Sequence, residues 1–315
     1  MKRGISREIT PDIPDFLNRE GIETYMIRKR EFSFLLLMVP ALLFYLIFYL
    51  YPVISTFAHS FTDWSLLQRS IHFIGLDNYK QLFHDDVVLT GIKNSIIYAV
   101  VMTIVQNALA VPLAVALDKN LRSKNVLRMV FFAPAVLSPL VVGFLWSYIM
   151  SSLDYGPLNQ MLTHLGIGPI NWLGEPKLAL YSVILTQVWQ WTGWAMVIYL
   201  ANLQGISKEL FEAAHIDGAN GWKTFWNITL PLLVPSITIN TVLSMIGGLK
   251  VFDIIFSMTS GGPGHATESI VTVLLQRAFT DSQLGYASAL GVLFSMFVMV
   301  VTLLQLRLMK RWEVS

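Results

Sequence analysis

A polar segment, Glu212–Pro231, lies between two long apolar runs and carries side chains suited to recognition by charge. It reads EAAHIDGANGWKTFWNITLP, with ionisable groups at Glu212, His215, Asp217 and Lys223. A carboxylate such as that of Glu212 can accept paired hydrogen bonds from an arginine of another protein. The two small alanines beside it would let such a partner approach closely. These features indicate a docking element that another protein contacts.

The apolar run that precedes this segment contains glutamine and tryptophan side chains that could bind a hydroxyl-rich solute. Polar residues inside membrane spans are costly to bury and tend to face a bundle interior or a water-filled path. Sugars are bound through hydrogen bonds to their hydroxyls and through flat aromatic faces against their C–H surface. An interface belt or ordinary packing of these tryptophans is equally compatible with the sequence. The candidates are Gln187, Gln190, Trp191 and Trp194.

The sequence shows no set of side chains with the spacing of a catalytic or metal site. The chain has no cysteine, and its six histidines lack metal-ligand spacing. No nucleophile is accompanied by a base and no phosphate-binding loop sequence occurs, so we expect no enzymatic activity, no bound cofactor and no metal in this chain. The net charge of +2, with the basic residues in a few clusters, argues against nucleic acid as a partner.

The elements that must position these side chains are membrane-spanning helices. Hydrophobic residues make up 54% of the chain and charged residues only 13%, against roughly 25% charged in soluble domains. Prolines occur within the apolar runs, which membrane helices tolerate because neighbouring groups satisfy the freed carbonyls. A span needs about 20 mainly apolar residues. Six runs qualify, and we predict spans at Phe32–Phe57, Thr90–Leu117, Val126–Met150, Leu178–Leu203, Leu232–Met258 and Gly285–Leu308.

The distribution of lysine and arginine predicts the orientation of the chain. Basic residues cluster before the first span, between the second and third spans and after the sixth, whereas the opposite loops are rich in aspartate. Because cytoplasmic loops carry an excess of Lys and Arg, both termini should face the cytoplasm, and the polar segment with them. We therefore predict an all-α membrane protein with a cytoplasmic tail at 1–31, a six-helix domain at 32–308 whose cytoplasmic loop is 204–231, and a second cytoplasmic tail at 309–315.

Local signals in the polar segment predict two short helices. Ser207 is a suitable N-cap for a helix over Lys208–Ile216, and Asp217 followed by Gly218 is a stop signal because glycine can take a positive φ. A second helix could start near Asn220. The alternative is an amphipathic helix that rests on membrane lipid. Such helices usually carry basic residues on their polar face, whereas this face is acidic and mixed.

The spacing within the polar segment resembles a known signature. It reads EAA, three residues, G, nine residues, I, any residue, LP, and it is similar to the EAA motif of permease subunits in bacterial ATP-binding-cassette importers. That resemblance implies the type I importer permease fold. It also implies a coupling role, in which the segment docks in a groove of the ATPase. The residues that carry this expectation are Glu212, Ala213, Ala214, Asp217, Gly218, Ile228, Leu230 and Pro231.

Other stretches resemble the narrower branch of carbohydrate permeases, similar to those of maltose and glycerol-phosphate importers. They are IGLDNYKQLF at Ile74–Phe83, LKVFDIIFSMTSGGPGHATES at Leu249–Ser269 and YASALGVLF at Tyr286–Phe294. Within the second stretch, TSGGPG is expected to supply flexible backbone where the fifth span ends. The resemblance covers residues 32–308.

Solute contacts in similar maltose permeases come from the spans that flank the EAA loop. Ungapped counting from Glu212 places the solute-contact positions before the loop on the four candidates named above. Among the corresponding positions after the loop, only Ser244 carries a polar side chain, as expected there. Gly248 and Val251 stand where asparagine would be expected. This departure implies either a different sugar or a site formed mainly by a partner subunit, so fine specificity is not transferred.

Lys250 and Asp253 place two opposite charges near the outer half of the fifth predicted span. At a spacing of three residues they could pair across one helical turn. We expect this pair, because a buried charge without a partner is severely penalised. In the alternative, an unpaired Lys250 binds an anionic substrate such as a uronate or a phosphorylated polyol.

The motif and the missing phosphate-binding sequence imply the permease subunit of an ATP-driven sugar importer, a multi-pass protein of the bacterial cytoplasmic membrane. The resemblance implies a second, homologous permease chain, two ATPase subunits that bind ATP and magnesium, an external solute-binding protein, and alternating access as the mechanism. Import of glycerol-3-phosphate or of an anionic saccharide by the same machinery is the nearer alternative. A self-contained secondary carrier or an intramembrane enzyme is more distant, since the spans show neither inverted repeats nor a coupling carboxylate nor catalytic pairs.

Overall fold

The computed structural model describes residues 38–119, 121–153 and 156–310. The predicted N-terminal tail at 1–31 lies outside the described residues, as do the start of the first predicted span and most of the predicted C-terminal tail. The chain divides into two compact units, Met1–Thr56 and Phe57–Ser315.

The first helix, α1, is Met38–His59 and contains a π-helical turn at Leu46–Leu50. It is 22 residues long, and none of its side chains is buried within the chain. A helix of this length and apolar composition can cross a hydrocarbon core of about 30 Å. The described part of the first predicted span is therefore helical, as expected.

The stretch after α1 is an irregular structure ordered by a buried asparagine. The short helix α2, Asp77–Leu82, turns Asn78 inward, where its Nδ2 donates to the carbonyl oxygens of Ser60 and Thr62, both at 2.9 Å. Thr62 also forms an isolated antiparallel bridge with Phe73. Because buried polar groups must find partners, these bonds define the shape of a stretch that has little apolar core.

The next helix, α3, is Asp86–Asp118 and is 33 residues long. Asp85 caps its start, with Oδ1 accepting from the backbone N–H groups of Val87 and Val88 at 3.0 and 3.3 Å. An aspartate at this position satisfies donors that have no partner in the first turn of a helix. The helix predicted at Thr90–Leu117 is confirmed and begins one turn earlier.

Asp85 also binds two side chains at the ends of later helices. Arg277 Nη2 lies 2.7 Å from Asp85 Oδ2, and Arg277 Nη1 lies 3.0 Å from Asp281 Oδ2. The Tyr286 hydroxyl donates to the same Asp85 oxygen at 2.8 Å. Burial works to raise the pKa of Asp85, but the hydrogen bonds from Tyr286 and Val88 and the charge of Arg277 outweigh it and hold the pKa below its ordinary value.

Replacement of this carboxylate is expected to destabilise the fold in a pH-dependent way. At pH 7, Asp85→Asn should lower the free energy of unfolding by about 1–3 kcal/mol, because Arg277 keeps only Asp281 as a charged partner while its side chain is only 26% exposed. The folded-state pKa lies below the ordinary value of 3.8. The ionised Asp85 carboxylate therefore contributes its full stabilisation above pH 3.8, and this stabilisation is lost as the pH falls through the folded-state pKa.

Thermal unfolding of the purified protein at pH 7 and at about pH 3 measures this effect, and the difference between parent and variant should shrink at the lower pH. Asp77→Asn is the matched control, since that carboxylate is 57% exposed in its pair with Lys80 and should contribute little. Equal unfolding of the Asp85→Asn variant and the parent at pH 7 would contradict the expectation.

The helices α4, Lys124–Val136, and α5, Pro139–Ile149, meet at an angle of 100°. The span predicted at Val126–Met150 is therefore sharply bent at this break, at one of the prolines that the sequence places within the run. Ser138, which precedes the proline, has an extended ψ of 134°, because the proline ring disfavours a helical conformation at the residue before it. The pair forms either a broken span or a re-entrant loop.

The long helix α7, Pro176–Gly205, is 30 residues long and follows the short helix α6, Pro157–His164. It packs most extensively against α3, and after that against α4. Its side chains contribute to two separate apolar clusters, one around Val183 and one around Leu200. The helix predicted at Leu178–Leu203 is confirmed and forms the central element of this bundle.

The polar segment contains one separate helix, α8, Lys208–Ile216, and the start of the next one. That next helix, α9, is Gly221–Leu249 and is 29 residues long. Asn220 caps it by accepting from the backbone N–H of Lys223 at 2.9 Å. The prediction of Leu232–Met258 for this helix is wrong at both ends, because the asparagine cap starts it inside the polar segment and the chain leaves the helical path after Leu249.

After α9 the chain breaks over Lys250–Phe252 and the short helix α10, Asp253–Met258, follows. The last residue of the break has φ −140° and ψ −61°, outside the helical region. Two further helices complete the described chain, α11 at Ile270–Thr280 and α12 at Leu284–Met309. The helix predicted at Gly285–Leu308 is confirmed as α12.

The loop between α10 and α11 is ordered, so the expectation of flexible backbone in TSGGPG is wrong. The hydroxyls of Thr259 and Thr267 lie 2.7 Å apart, and Asn94 Nδ2 of α3 donates to the Glu268 carbonyl at 3.0 Å. Gly261 has φ +86° and lies against the Glu268 carboxylate, where a side chain would not fit. The glycines serve close packing here, and long-range hydrogen bonds hold the loop.

Among the described residues, α1, α3, α9 and α12 are each long and apolar enough to cross a membrane, and the bent pair α4–α5 makes a fifth span if it is counted as one. Helix α7 is also long enough, at about 45 Å for a rise of 1.5 Å per residue, but it is richer in polar side chains. Its polar residues are those that the sequence singled out as solute contacts.

Candidate substrate cavity and coupling segment

A cavity of about 400 Å³ lies between α3, α7 and α9 and reaches the start of α10. Apolar side chains such as Leu243 and Ile254 form part of its wall. The remainder is polar or aromatic and includes every predicted solute-contact residue except Gln190. These residues are Gln187, Trp191, Trp194, Ser244, Lys250 and Asp253.

Gln106 of α3 lines the same cavity and was missed by the sequence analysis. Its Oε1 accepts from the Ser244 hydroxyl at 2.6 Å, and its Nε2 donates to the Trp191 carbonyl at 2.9 Å. It thereby joins three helices at the cavity wall. A glutamine in the middle of an apolar run was the available signal, since buried polar residues in spans are costly.

Two polar atoms in the cavity wall are buried without a hydrogen-bond partner among the described residues. They are Gln187 Oε1, an acceptor, and Trp191 Nε1, a donor. A buried polar group that makes no hydrogen bond costs about 1–3 kcal/mol. Both residues line the cavity, but these two atoms are themselves buried, and they could bind a solute hydroxyl only after their side chains turn toward the cavity.

A small polar network of Asn107, Tyr199 and Asn240 adjoins the cavity. The Tyr199 hydroxyl donates to Asn107 Oδ1, and Asn240 Nδ2 donates to that oxygen at 3.0 Å and to the Tyr199 hydroxyl at 3.1 Å. Asn240 also lines the cavity. Because satisfied polar networks specify a single arrangement, this one sets how α3, α7 and α9 pack against each other.

Gln190 belongs to the helix packing and not to the cavity. Its side chain is completely buried, and its Nε2 donates at 3.0 Å to the carbonyl oxygen of Leu137. Leu137 lies at the break between α4 and α5, where a carbonyl loses its partner within the helix. The prediction of Gln190 as a solute contact is corrected accordingly, because the break needs this amide as a donor.

Lys250 and Asp253 do not form the ion pair that their spacing suggested. No salt bridge within 4.0 Å joins them, and neither is paired with another described residue. The expectation rested on one continuous helix, whereas α9 ends at Leu249 and a new helix starts at Asp253. The two side chains instead occupy the cavity wall separately.

The helix α8 has the caps that the sequence predicts. Ser207 Oγ accepts from the backbone N–H of Glu209 at 3.3 Å, and Gly218 follows the helix end with φ +74°. The N–H groups of Gly218 and Ala219 donate to the carbonyls of residues 215 and 214 at 3.1 and 2.9 Å, which is a Schellman motif. Such a pattern requires the positive φ that glycine provides.

The outer face of α8 is formed by motif residues. Glu212, Ala213 and Asp217 are exposed, whereas Ala214 is buried against the bundle. Ile216 is 85% exposed and belongs to the same free face. The surface thus combines acidic and apolar groups, as a protein-docking surface does.

The remaining motif residues are part of α9 and not of a loop. Ile228 lies in a π-helical turn at Phe225–Thr229, and Leu230 and Pro231 follow directly. All three are half-buried. They lie in the first turns of α9 and connect the polar segment directly to the bundle.

Two exposed tryptophans beside α8 were not identified by the motif. Trp222 is 71% and Trp226 is 49% exposed, with their ring centroids 5.6 Å apart. Aromatic side chains at a surface are typical of protein contacts. The sequence shows both tryptophans. That they share one face becomes evident only when the first turns of α9 are known to be helical.

Residues 89–314 match the family described as binding-protein-dependent transport system inner membrane component. The chain belongs to this family. The matched residues include the whole cavity and the whole polar segment. This permease is accordingly a multi-pass protein of the inner membrane, in agreement with its apolar helices.

Several curated relatives resemble the permease over almost their full length. YurN of Bacillus subtilis, a probable ABC transporter permease protein, is 34% identical over 90% of this chain and 98% of its own. MsmF of Streptococcus mutans, a multiple sugar-binding transport system permease protein, is 32% identical over 91% and 98%. AraP of Bacillus subtilis, an arabinooligosaccharides transport system permease protein, is 31% identical over 94% of each chain.

A solved structure shares the fold of the permease. It is a bacterial ABC transporter involved in the import of the acidic polysaccharide alginate, and the likeness has a TM-score of 0.81 over 92% of this chain and 99% of that one. Sequence identity is 22%, so the likeness concerns the fold alone. The permease therefore has the fold of an ABC importer permease, as the EAA motif implied.

Proposed function

We propose that this permease is one of two permease subunits of an ATP-driven, binding-protein-dependent importer of sugars, with an oligosaccharide as the solute. The observation that carries the proposal is the cavity, whose wall contains the Gln187 side chain and the aromatic side chains of Trp191 and Trp194. This combination suits hydroxyls and the apolar face of a sugar ring. Relatives named for multiple sugars and for arabinooligosaccharides support the same solute class.

In this proposal α7 is the sixth span and both termini face the cytoplasm. The length of α7 and its extensive packing against α3 and α4 support its role as a span, because a helix can direct polar residues into the bundle and away from lipid. The basic residues around 119–128 support the orientation. The polar segment then faces the cytoplasm, within reach of ATPase subunits.

The proposed mechanism is alternating access driven through α8. Two ATPase subunits, which bind ATP and magnesium, hold α8 through its exposed face, and this chain binds no cofactor itself. Closure of the ATPases moves α8 and thereby α9, which runs without interruption from Gly221 to Ser244 and Gly247 in the cavity wall. A homologous second permease completes the pathway, and an external solute-binding protein delivers the sugar.

Two cavity substitutions test this proposal. Gln187→Ala and Trp194→Ala are each expected to reduce solute-stimulated ATP hydrolysis and uptake by about tenfold, the effect of losing roughly 1.4 kcal/mol of solute binding. The measurement uses the complete complex, purified with its own partners, in the presence of its binding protein. ATPase subunits should remain attached in both variants, since α8 is unchanged.

Trp189→Ala is the matched control, because Trp189 lies on the same helix and is as exposed as Trp194 but does not line the cavity. Unchanged transport in both cavity variants, at normal protein levels, would refute the assignment of this cavity as the solute path.

An anionic solute, such as a uronic saccharide or glycerol-3-phosphate, is the second candidate. One observation favours it: Lys250 lies in the cavity wall and has no ion-pair partner among the described residues. The negative charge of Asp253 on the same wall disfavours an anionic solute. The relative influence of Lys250 and Asp253 therefore decides between a neutral and an anionic solute.

A further inference from the structure

The break between α9 and α10 is a built feature of the cavity wall. The N–H of Lys250 donates to the Ile246 carbonyl at 3.1 Å, and the N–H of Val251 lies 3.4 Å from the Gly248 carbonyl. Val251 is buried in an apolar cluster. Its own carbonyl, freed by the break, accepts from the Ser269 hydroxyl at 2.7 Å. The break is therefore held from both sides.

Ser269 is itself fixed at the start of α11. It caps that helix through a reciprocal pair with Thr272, and the next N–H, of Ile270, donates to Ser95 Oγ of α3 at 3.0 Å. This series of hydrogen bonds, from α3 through Ser269 to Val251, fixes the directions in which the backbone enters and leaves the break. The positions of the side chains on either side of the break follow from this frame and not from attraction between them.

Those side chains are Lys250 and Asp253, the only charged groups among the described residues that line the cavity. Both are exposed, and no salt bridge within 4.0 Å neutralises either one among the described residues. One is a cation and the other an anion, so the formal charges of the wall cancel.

We propose that Lys250 and Asp253 act as a split charge pair that makes the cavity select neutral, hydroxyl-rich solutes over acidic ones. This inference rests on the proposed sugar-import function and specifies its solute class. An ammonium group donates to a hydroxyl oxygen, and a carboxylate accepts from a hydroxyl hydrogen, so a neutral sugar can satisfy both.

An acidic sugar would be attracted by one member of the charge pair and repelled by the other. Its carboxylate gains an attraction to Lys250, but it also faces the like charge of Asp253 on the same wall. Such repulsion raises the free energy of the bound state, and the desolvation of a third charge adds to it. Removal of one member of the pair should therefore shift the preference in a direction set by the sign of the charge that remains.

The test compares two glycosides that differ only at one carbon, methyl glucoside and methyl glucuronoside, in binding to the complete complex in lipid nanodiscs, followed by saturation-transfer NMR. The wild type should favour the glucoside. Asp253→Asn should shift the ratio of the two affinities toward the glucuronoside by about tenfold, and Lys250→Gln should shift it the other way by a similar factor. The double variant, neutral again, should restore the wild-type preference for the glucoside.

The outcomes separate this inference from the proposed function. If the wild type binds the glucoside but neither single variant shifts the ratio, the charge-pair inference is overturned and the sugar importer stands. A wild type that favours the glucuronoside overturns the inference and supports the anionic candidate. If the wild type binds neither glycoside, the charge-pair inference is overturned, whereas the proposal of oligosaccharide import is refuted only by unchanged transport in the Gln187 and Trp194 variants.

Discussion

Gly193→Ala is expected to lower the free energy of unfolding of this permease by about 3 kcal/mol, the upper end of the usual cost of overpacking. A methyl group on Gly193 would lie 1.9 Å from the carbonyl oxygen of Phe131 and 2.9 Å from the Cα of Phe132. These neighbours are backbone atoms of α4, which cannot rotate away as a side chain can. Helices α4 and α7 would have to separate, and thermal unfolding of the purified protein measures the loss.

Gly205→Ala is the matched control for this substitution. Gly205 ends the same helix, and no heavy atom of another part of the chain lies within 4 Å of the position its Cβ would take. Alanine is a better helix former than glycine, so this variant should unfold at or slightly above the temperature of the parent. Equal melting temperatures for the Gly193 and Gly205 variants would show that α4 does not approach α7 as closely as described.

Gly218→Val is expected to abolish uptake while the permease remains in the membrane at its normal level. Gly218 has φ +74°, where a side chain costs roughly 1–2 kcal/mol and a β-branched one more. The backbone would relax to a negative φ and lose the bonds that end α8 at residues 214 and 215. The exposed face of α8 would then be turned relative to α9, and ATPase docking should fail.

The measurement is co-purification of the ATPase subunits with a tagged permease, together with uptake of a solute that the wild type carries. Gly221→Ala is the control, since Gly221 lies three residues further on, has an ordinary φ and has free space around its Cβ position. Glu212→Ala should also weaken docking, but without backbone strain. Normal co-purification in both the Gly218 and Glu212 variants would refute the coupling role of α8.

Most helices could be predicted from the sequence because the signals for them are local. Apolar runs of sufficient length indicated α3, α7 and α12, and Ser207 with Gly218 indicated both ends of α8. The errors occurred where a local signal was overruled by its neighbours. Ser138 before a proline divides one predicted span into α4 and α5, and the asparagine cap at residue 220 moves the start of α9 into the polar segment.

In the candidate site, the sequence indicated which residue types could bind a solute but not which of them face the cavity. Gln187 and Gln190 are the same residue type, three positions apart on α7, yet the first lines the cavity and the second is bonded to Leu137. Gln106 forms hydrogen bonds with Ser244 and with the Trp191 carbonyl, although both residues are distant from it along the chain. Helix rotation and long-range packing determine these roles, and neither is encoded in residue spacing along one helix.

The sequence by itself determined that this is a polytopic membrane protein and that its polar segment carries the EAA spacing, and it predicts that the energy for transport comes from another chain. Hydrophobic length, charge distribution and motif spacing are properties of the linear chain, so no coordinates were needed for them. Only the tertiary structure decided which polar side chains share a cavity and that Lys250 and Asp253 stand apart. Both depend on a break in a helix that is held by contacts from α3 and α11, which lie far away along the chain.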